Sequence, residues 1–271
     1  MRRRRRRGPR AAAAALLAVG LSGGAARAAE DGACLDGAET VAGSGVQDAR
    51  SVVLADGRVL RLAGLEPFLF GDDPDGAELA VLKRLLALAA GRALTARLVS
   101  AEPDRHGRFP ALIALDDALL QERLAREGLA IAFAGGDPVP CFDRILAAEA
   151  AARRERRGFW AKARVPAADP DQLGGHIGRF AIFEGVVVSV GNRRRRTYLN
   201  FGGWWKEDVT VEIDARDRER FGGEAALAEL AGRRVRVRGF VEEKGGPMVA
   251  VRSPMQIEVI GRGDGLEGDA P

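Results

Sequence analysis

Residues 60–66 read Leu-Arg-Leu-Ala-Gly-Leu-Glu, and residues 104–108 read Asp-Arg-His-Gly-Arg. The first stretch ends a predicted strand, and the second is a charged turn that enters another strand. A guanidinium presents a planar fork of donors that matches phosphate oxygens, and a carboxylate beside it can hold a cation. If both stretches belong to one barrel, Arg61, Arg108 and Glu66 can converge on a phosphate.

The sequence around these stretches alternates strand and helix signals. Asp56-Gly57 is a hairpin signal between two predicted strands. The leucine spacing of 77–90 predicts a helix, and further helices are expected over 118–127 and from Cys141 or Phe142 to 157. This pattern indicates a mixed fold of strands and helices.

The order of these elements resembles the staphylococcal nuclease (thermonuclease) family over about residues 40–165. The turn at 104–108 and the helix Glu149-Ala150-Ala151-Ala152 followed by Phe159-Trp160 carry the resemblance together with residues 60–66. The resemblance implies an α+β fold, with an OB-type five-stranded barrel and three helices. It also implies calcium-dependent hydrolysis of DNA and RNA phosphodiesters.

The resemblance assigns roles residue by residue. Arg61 and Arg108 match the family's two phosphate-binding arginines and are the predicted catalytic residues. Glu66 stands where the family has a calcium-binding aspartate and is the predicted metal ligand. Arg50, however, occupies the position of a second calcium aspartate, and Leu69 occupies that of the general-base glutamate. An arginine repels a cation and a leucine cannot accept a proton, so Ca²⁺ is implied by the family but opposed by these two residues.

Each assignment has a structural alternative. Arg61 can form an ion pair with Glu66, and Arg108 can form one with Asp104, without any ligand. A loop carboxylate from 72–75 is the alternative source of the missing base, although such acidic turns are usually only solvated. Trp160 is expected to anchor the long helix on the barrel.

A second, strand-rich region follows Pro166-Ala167-Ala168-Asp169-Pro170, which is predicted to be a linker. Its five or six strands and one short helix predict a second small OB-like barrel. Arg193, Arg194, Arg195 and Arg196, with Tyr198 just after them, are candidates for nucleic-acid binding, because basic loops beside aromatic rings hold single strands. The alternative is a solvated hairpin tip.

The N-terminus dominates the charge balance. The chain has 271 residues and a formal net charge of +4, but its first 28 residues hold eight arginines and no acid, and the remainder has 34 basic and 38 acidic residues. An arginine-rich start, an apolar run at 11–21 and Ala26-Arg27-Ala28 are typical of a signal peptide. The apolar run is too short for a membrane span. We therefore expect export to a periplasmic or extracellular space, with no stable membrane insertion after cleavage.

Export changes the expectation for the two cysteines, because a lone pair in an oxidising compartment tends to form a disulfide. Cys34 and Cys141 are therefore predicted to be bonded. The predicted organisation is a signal peptide at 1–28, a nuclease-like domain at 29–165, a linker at 166–176, an OB-like barrel at 177–262 and a disordered tail at 263–271.

Two functions follow from these observations. The first is an exported nuclease-family protein that binds, and in its enzymatic form hydrolyses, DNA or RNA with an incomplete site. The alternative is a non-catalytic envelope module that binds nucleic acid, glycan or protein. Arg50 and Leu69 favour the second function, whereas the strand order and the two arginines favour the first.

Overall fold

The computed structural model of the protein describes residues 34–67, 73–136, 138–204 and 207–263. The predicted signal peptide, most of the predicted tail, Leu69 and Asp72 lie outside these ranges. Two rings of β-strands follow one another along the chain. None of the helices in the described ranges is long and apolar enough to cross a membrane.

The first ring has five strands in the order β3-β2-β1-β5-β6, and a parallel pairing of β3 with β6 closes it. Strand β7 pairs with β6, while β4 and β8 form a separate antiparallel ribbon. The strands are β1 (Glu39–Asp48), β2 (Ser51–Leu54), β3 (Val59–Leu62), β4 (Leu65–Pro67), β5 (Ala93–Leu98), β6 (Arg108–Leu115), β7 (Ala118–Leu119) and β8 (Ala130–Ala132).

Three helices accompany this ring: α1 (Pro74–Ala89), α2 (Leu120–Arg126) and α3 (Phe142–Arg154). The Asp73 carboxylate caps α1 by accepting a hydrogen bond from the Gly76 amide at 2.9 Å. Buried side chains of α1, α2 and α3 share one apolar core with the strands. The expected α+β architecture, with an OB-type barrel and three helices, is confirmed.

The predicted bond between Cys34 and Cys141 is present and ties the start of the described chain to the residue before α3. It links residues 107 positions apart in the sequence.

The second ring also has the OB-type strand order. Antiparallel pairs join β10, β11 and β12, then β12 runs parallel to β14, and β13 pairs with both β14 and β9. The second ring and its flanking elements comprise α4 (Pro170–Gly174), β9 (Phe180–Val186), β10 (Ser189–Asn192), β11 (Arg196–Asn200), β12 (Thr210–Asp214), α5 (Gly223–Ala228), β13 (Arg233–Glu243), β14 (Pro247–Val251) and β15 (Ile257–Arg262). Its core is separate from that of the first ring.

The segment expected as a linker packs on the second ring instead of extending freely. The Ala168 amide donates to the Glu184 carbonyl at 2.6 Å, and the Glu184 amide donates to the Pro166 carbonyl at 3.0 Å. Leu173, in the short helix α4, is fully buried in the second core. The apolar side chain of Leu173 accounts for this docking, since its burial removes hydrocarbon from water.

The two rings share a buried interface. Trp160 is 2% exposed and lies in a small cluster with Ile131 from the first ring and with Phe180 and Ile182 from the second. The expectation that Trp160 packs on the barrel is therefore correct, and its contacts extend to both rings.

A buried ion network crosses the same interface. The fully buried Arg238 on β13 donates to the Ala132 carbonyl at 2.7 Å and to the Glu149 carboxylate at 2.8 Å, and it also donates to Glu258. Burial lowers the pKa of Arg238, but the two carboxylates outweigh this effect and raise it. Because a buried charge is tolerated only when it is paired and hydrogen-bonded, the network holds the two rings together.

Candidate functional site

The predicted site residues of the first ring lie at one end of the barrel. Arg50 is in the turn between β1 and β2, Arg61 is near the end of β3, and Arg108 begins β6 after the loop that follows β5. These two connections correspond to the loops with which OB-folds bind oligonucleotides. Arg61, Glu66 and Arg108, which the sequence analysis expected to converge, therefore lie at the same end of the barrel.

Glu66 is held by two arginines. Its Oε1 accepts a hydrogen bond from Arg61 Nη2 at 2.6 Å, and its Oε2 accepts one from Arg50 Nη1. The Glu66 side chain is only 8% exposed, whereas those of Arg50 and Arg61 are about one-third exposed. The structural alternative for Arg61, an ion pair with Glu66, is thus present, with Arg50 as an additional partner.

A short ribbon fixes the position of Glu66. Strand β4 pairs with β8 so that Glu66 lies opposite Ile131. The preceding turn contains Gly64, whose φ of +76° favours glycine, and a Cβ there would lie 3.0 Å from the Val139 side chain. The neighbouring Ala132 of β8 is bonded to Arg238, so the second ring supports the ribbon that carries Glu66.

Arg108 is bonded to two other carboxylates. Its Nη1 donates to Asp48 Oδ2 at 3.0 Å, and its Nη2 donates to Asp104 Oδ2 at 2.9 Å. Burial lowers the pKa of the Arg108 guanidinium, but Asp104 and Asp48 outweigh this and raise it. The side chain is 12% exposed, so Arg108 joins the two loops as a largely buried clamp.

The same contacts shift the pKa values of both partners. Burial raises the pKa of Asp104, but hydrogen bonds from Arg108 and from the His106 amide outweigh it and lower the pKa to about 2. Burial likewise raises the pKa of Asp48. The Arg50 amide, Ser51 and the nearby arginines lower it by more, so the net effect is a decrease in the pKa. Both carboxylates therefore stay ionised at neutral pH and remain paired with Arg108.

The charges of the six paired side chains at this end of the barrel cancel. Three guanidiniums, those of Arg50, Arg61 and Arg108, face three carboxylates, those of Asp48, Glu66 and Asp104. Such a cluster has little excess positive charge with which to attract a phosphate. A phosphate that binds here must compete with the carboxylates that already accept from each arginine.

The residues present do not fit a calcium ion. Calcium requires six to eight oxygen ligands, but both oxygens of Glu66 already accept from arginines. The Arg50 guanidinium lies against the carboxylate in place of a metal ion. Across the ranges that the structure describes, no group of three or more His, Cys, Asp or Glu side chains is arranged to hold a metal ion. The donor atoms present are therefore incompatible with the calcium ion that the family resemblance implies.

The described carboxylates of the acidic loop, Asp73 and Asp75, do not lie at the site as a replacement base. Asp73 is engaged as the cap of α1, and Asp75 is exposed in the first turn of that helix. Asp72 and Leu69 lie outside the described residues. His106 is exposed in the turn, and its Nε2 accepts a hydrogen bond from Arg105 Nε at 3.0 Å.

A cleft of about 960 Å³ runs between the two rings and reaches this site. The first ring lines it with Arg61 and Glu66, and the second ring lines it with four charged residues, Arg216, Asp217, Arg220 and Arg252. Arg108 is not among the described residues that line the cleft. Of the two predicted phosphate-binding arginines, Arg61 is therefore the one with access to a ligand in the cleft.

The sequence analysis did not identify the four residues contributed by the second ring. Arg216, Asp217 and Arg220 belong to the 3₁₀-helix Ala215–Phe221, which reads Ala-Arg-Asp-Arg-Glu-Arg-Phe. A run of alternating charges is usually a solvated face, so the composition of this segment alone does not predict a binding site. The one available clue was the recurrence of arginines at 216, 218 and 220 directly after a strand.

The predicted basic run of the second ring is divided by the structure. Arg193 and Tyr198 line a groove of about 480 Å³ with Lys244, whereas Arg194 and Arg195 are exposed in the hairpin between β10 and β11. Arg196 pairs with Glu212 at 3.0 Å, so its charge is compensated. The four arginines and Tyr198 nevertheless line one depression of about 620 Å³ together with Arg216.

A comparison with protein families agrees with the architecture of the first ring. Residues 84–162 match the sequence model of the family described as Staphylococcal nuclease homologue. The matched range includes Arg108 and its turn, whereas Arg50, Arg61 and Glu66 precede it. No curated protein matches the chain. The match at residues 84–162 therefore supports the resemblance of the first ring to staphylococcal nuclease homologues.

Proposed function

We propose that this protein binds nucleic-acid strands through their phosphates without hydrolysing them by a calcium-dependent route. The observation that carries the proposal is the pairing of Arg50 with Glu66, which puts a guanidinium where the family resemblance implies a calcium ion. A positioned base contributes 10²–10⁴-fold to such a reaction, and the metal stabilises several kcal/mol of developing charge. Without these groups, the site retains binding chemistry only.

Arg61 is the proposed phosphate ligand of the first ring. Its side chain is 28% exposed and lines the cleft, and only its Nη2 is bonded to Glu66. A guanidinium can accept a phosphate on one edge while it remains paired with a carboxylate on the other. Arg108 is proposed to act less directly, by holding the two loops on either side of the site.

Fluorescence anisotropy of a labelled single-stranded 12-mer, as DNA and as RNA, tests this proposal in 2 mM calcium and in a chelator at about 0.1 M salt. The proposal expects equal affinities in the two buffers and weaker binding by Arg61→Gln, which keeps a hydrogen-bonding group beside Glu66. Arg92→Gln is the matched control, because Arg92 is exposed at the opposite end of β5 from the site loop. Absence of binding to either strand would overturn the proposal.

The groove on the second ring is a second candidate binding surface. Arg193 supplies positive charge and Tyr198 supplies a ring, which is the combination that single-strand grooves use. Lys244 also lines the groove, where it is paired with Glu212 at 2.8 Å. We propose Arg193, Arg194, Arg195, Arg196 and Tyr198 as a secondary strand-binding surface, with glycan or protein binding as the alternative. We expect a nucleic-acid strand, but not an oligosaccharide, to quench the fluorescence of Tyr198. This quenching is expected to be lost in the Arg193→Ala variant.

We also propose that the protein is exported. The signal-like features of residues 1–28 support this, and the bonded cysteines fit an oxidising compartment. The two rings are consistent with domains at 29–165 and 177–262 joined by 166–176. Cell fractionation followed by thiol alkylation tests the proposal, and recovery of the chain in the cytosol with both thiols reactive would contradict it.

A further inference from the structure

The cleft between the rings has walls of different electrostatic character. On the first ring, Arg61 and Glu66 are bonded to each other, so their charges cancel. The second ring contributes Arg216, Arg220 and Arg252 with one carboxylate, Asp217. The excess positive charge of the cleft, two units in total, therefore comes entirely from the second ring.

The arginines of the second ring are also more available for a ligand. The Arg216 side chain is 70% exposed, and its Nε lies 3.7 Å from Asp214 and 3.9 Å from Asp217, beyond hydrogen-bonding distance. Arg252 is exposed, and its guanidinium forms no ion pair within the described part of the chain. In contrast, Arg50, Arg61 and Arg108 each donate to a carboxylate at hydrogen-bonding distance or closer.

Asp217 positions the arginines that the second ring contributes to the cleft. Its side chain is 9% exposed and lies between Arg216 and Arg220, with its Oδ1 3.8 Å from Arg220 Nε. Arg220 also spans the cleft, because its Nη1 donates to the carbonyl of Gly136, in the segment between β8 and α3, at 2.8 Å. The buried Oδ2 of Asp217 accepts no hydrogen bond from any described group. A single buried charge therefore keeps both arginines at the cleft without saturating either guanidinium.

We propose that this wall of the second ring binds the phosphates of a single strand that continues from Arg61 across the cleft. The inference rests on the proposed function of the first ring and adds Arg216 and Arg252 as its principal phosphate ligands, with Arg220 between them. A cleft of about 960 Å³ is at the upper end of the range of ordinary ligand pockets. This size suits a few nucleotides of single strand better than a duplex.

Counterion release gives the inference a quantitative test. Each phosphate neutralised on a single strand contributes about 0.7 to the slope of log K against log salt concentration. Loss of two phosphate contacts in Arg216→Ala/Arg252→Ala is therefore expected to lower the slope by about 1.4. At 0.1 M salt, this corresponds to roughly 25-fold weaker binding than that of the wild type.

The experiment measures binding of a labelled oligothymidylate 12-mer to the full chain between about 0.05 and 0.3 M salt. The matched control is Arg233→Ala/Arg262→Ala, which removes the same charge from a different depression of the second ring. Thermal melting of each variant shows whether a loss of binding is a loss of folding. The slope is expected to fall in the cleft variant and to stay near the wild-type value in the control.

Three results would overturn the inference, and they are distinguishable. Equal slope changes in the two double variants would show only a general charge effect. An unchanged cleft variant combined with weaker binding by Arg61→Gln would overturn the role of the second ring but leave the proposed function intact. Absence of strand binding by the wild type would overturn both proposals.

Discussion

Replacement of Glu66 by glutamine separates the structural role of its charge from its effect on binding. The carboxylate accepts from Arg50 and Arg61 and is 8% exposed. A hydrogen bond to a charged group contributes about 1.5–3 kcal/mol. Because both arginines are about one-third exposed, solvent screening places each bond near the lower end of that range.

Glutamine keeps one acceptor oxygen but turns an amide NH₂ towards one guanidinium. We therefore expect Glu66→Gln to lower the free energy of unfolding by about 2–3 kcal/mol. For a chain of this size, that corresponds to a decrease in Tm of roughly 5–10 °C. The same change leaves the cluster with one net positive charge, so binding of a single strand is expected to become stronger.

Urea and thermal unfolding followed by circular dichroism measure the first effect, and anisotropy with a single-stranded 12-mer measures the second. Glu78→Gln is the control, because Glu78 is exposed on α1 and forms no ion pair among the described residues. A Tm within 2 °C of the wild type, together with unchanged strand affinity, would refute the view that Glu66 holds two arginines by its charge.

Further predictions concern the ion pairs and the disulfide that stabilise the fold around the site. Arg238→Ala removes the fully buried partner of Glu149 and Glu258, which keep Arg153 and Arg236 as partners, and is expected to lower the unfolding free energy by about 3 kcal/mol, the lower end for breaking a buried ion pair; a urea midpoint equal to that of the wild type would contradict this. The pKa of Asp104 is lowered to about 2, so its contribution of about 1 kcal/mol should be present above pH 4 and lost as the pH falls towards 2; Asp104→Asn should remove this part of the acid-unfolding curve. Reduction of the disulfide, which joins residues 107 positions apart, should destabilise the chain by about 4–5 kcal/mol; identical unfolding with and without reductant would count against it.

The fold of the first ring was predictable because its local signals agree with its topology. Asp56-Gly57 sets the hairpin between β2 and β3, Gly64 allows the turn before β4, and Gly107 has the positive φ that the turn before Arg108 requires. Helices α1 and α2 end two residues before Gly91 and Gly128, whereas α3 ends at Arg154, four residues before Gly158. At these positions, the chemistry of two or three neighbouring residues decides the backbone path.

The interface was less predictable, because it depends on packing between distant segments. The Val-Arg alternation of β13 indicates that the valines face the core and the arginines face outward. It does not show that β8 and α3 cover that outer face, which is why Arg238 is fully buried. The same limitation applies to Arg216 and Arg252, whose importance arises only when the second ring lies beside Arg61.

Arg50 illustrates a different limitation. The sequence places an arginine where the family resemblance implies a calcium ligand, which indicates repulsion of a cation. It does not show what the arginine does instead. In the structure, the Arg50 amide donates to Asp48 at 2.8 Å and its guanidinium reaches Glu66, so the residue closes the site with its own charge. Such a substitution of side chain for metal is visible only in three dimensions.

The central claim is that the charge of Arg50 has replaced the metal at this site. Incubation of the purified chain with single-stranded DNA and RNA in calcium and in a chelator, followed by gel analysis of strand length, tests it most directly. The account predicts strands of unchanged length in both conditions under concentrations at which they are bound. Cleavage that requires calcium and disappears in Glu66→Gln would contradict it.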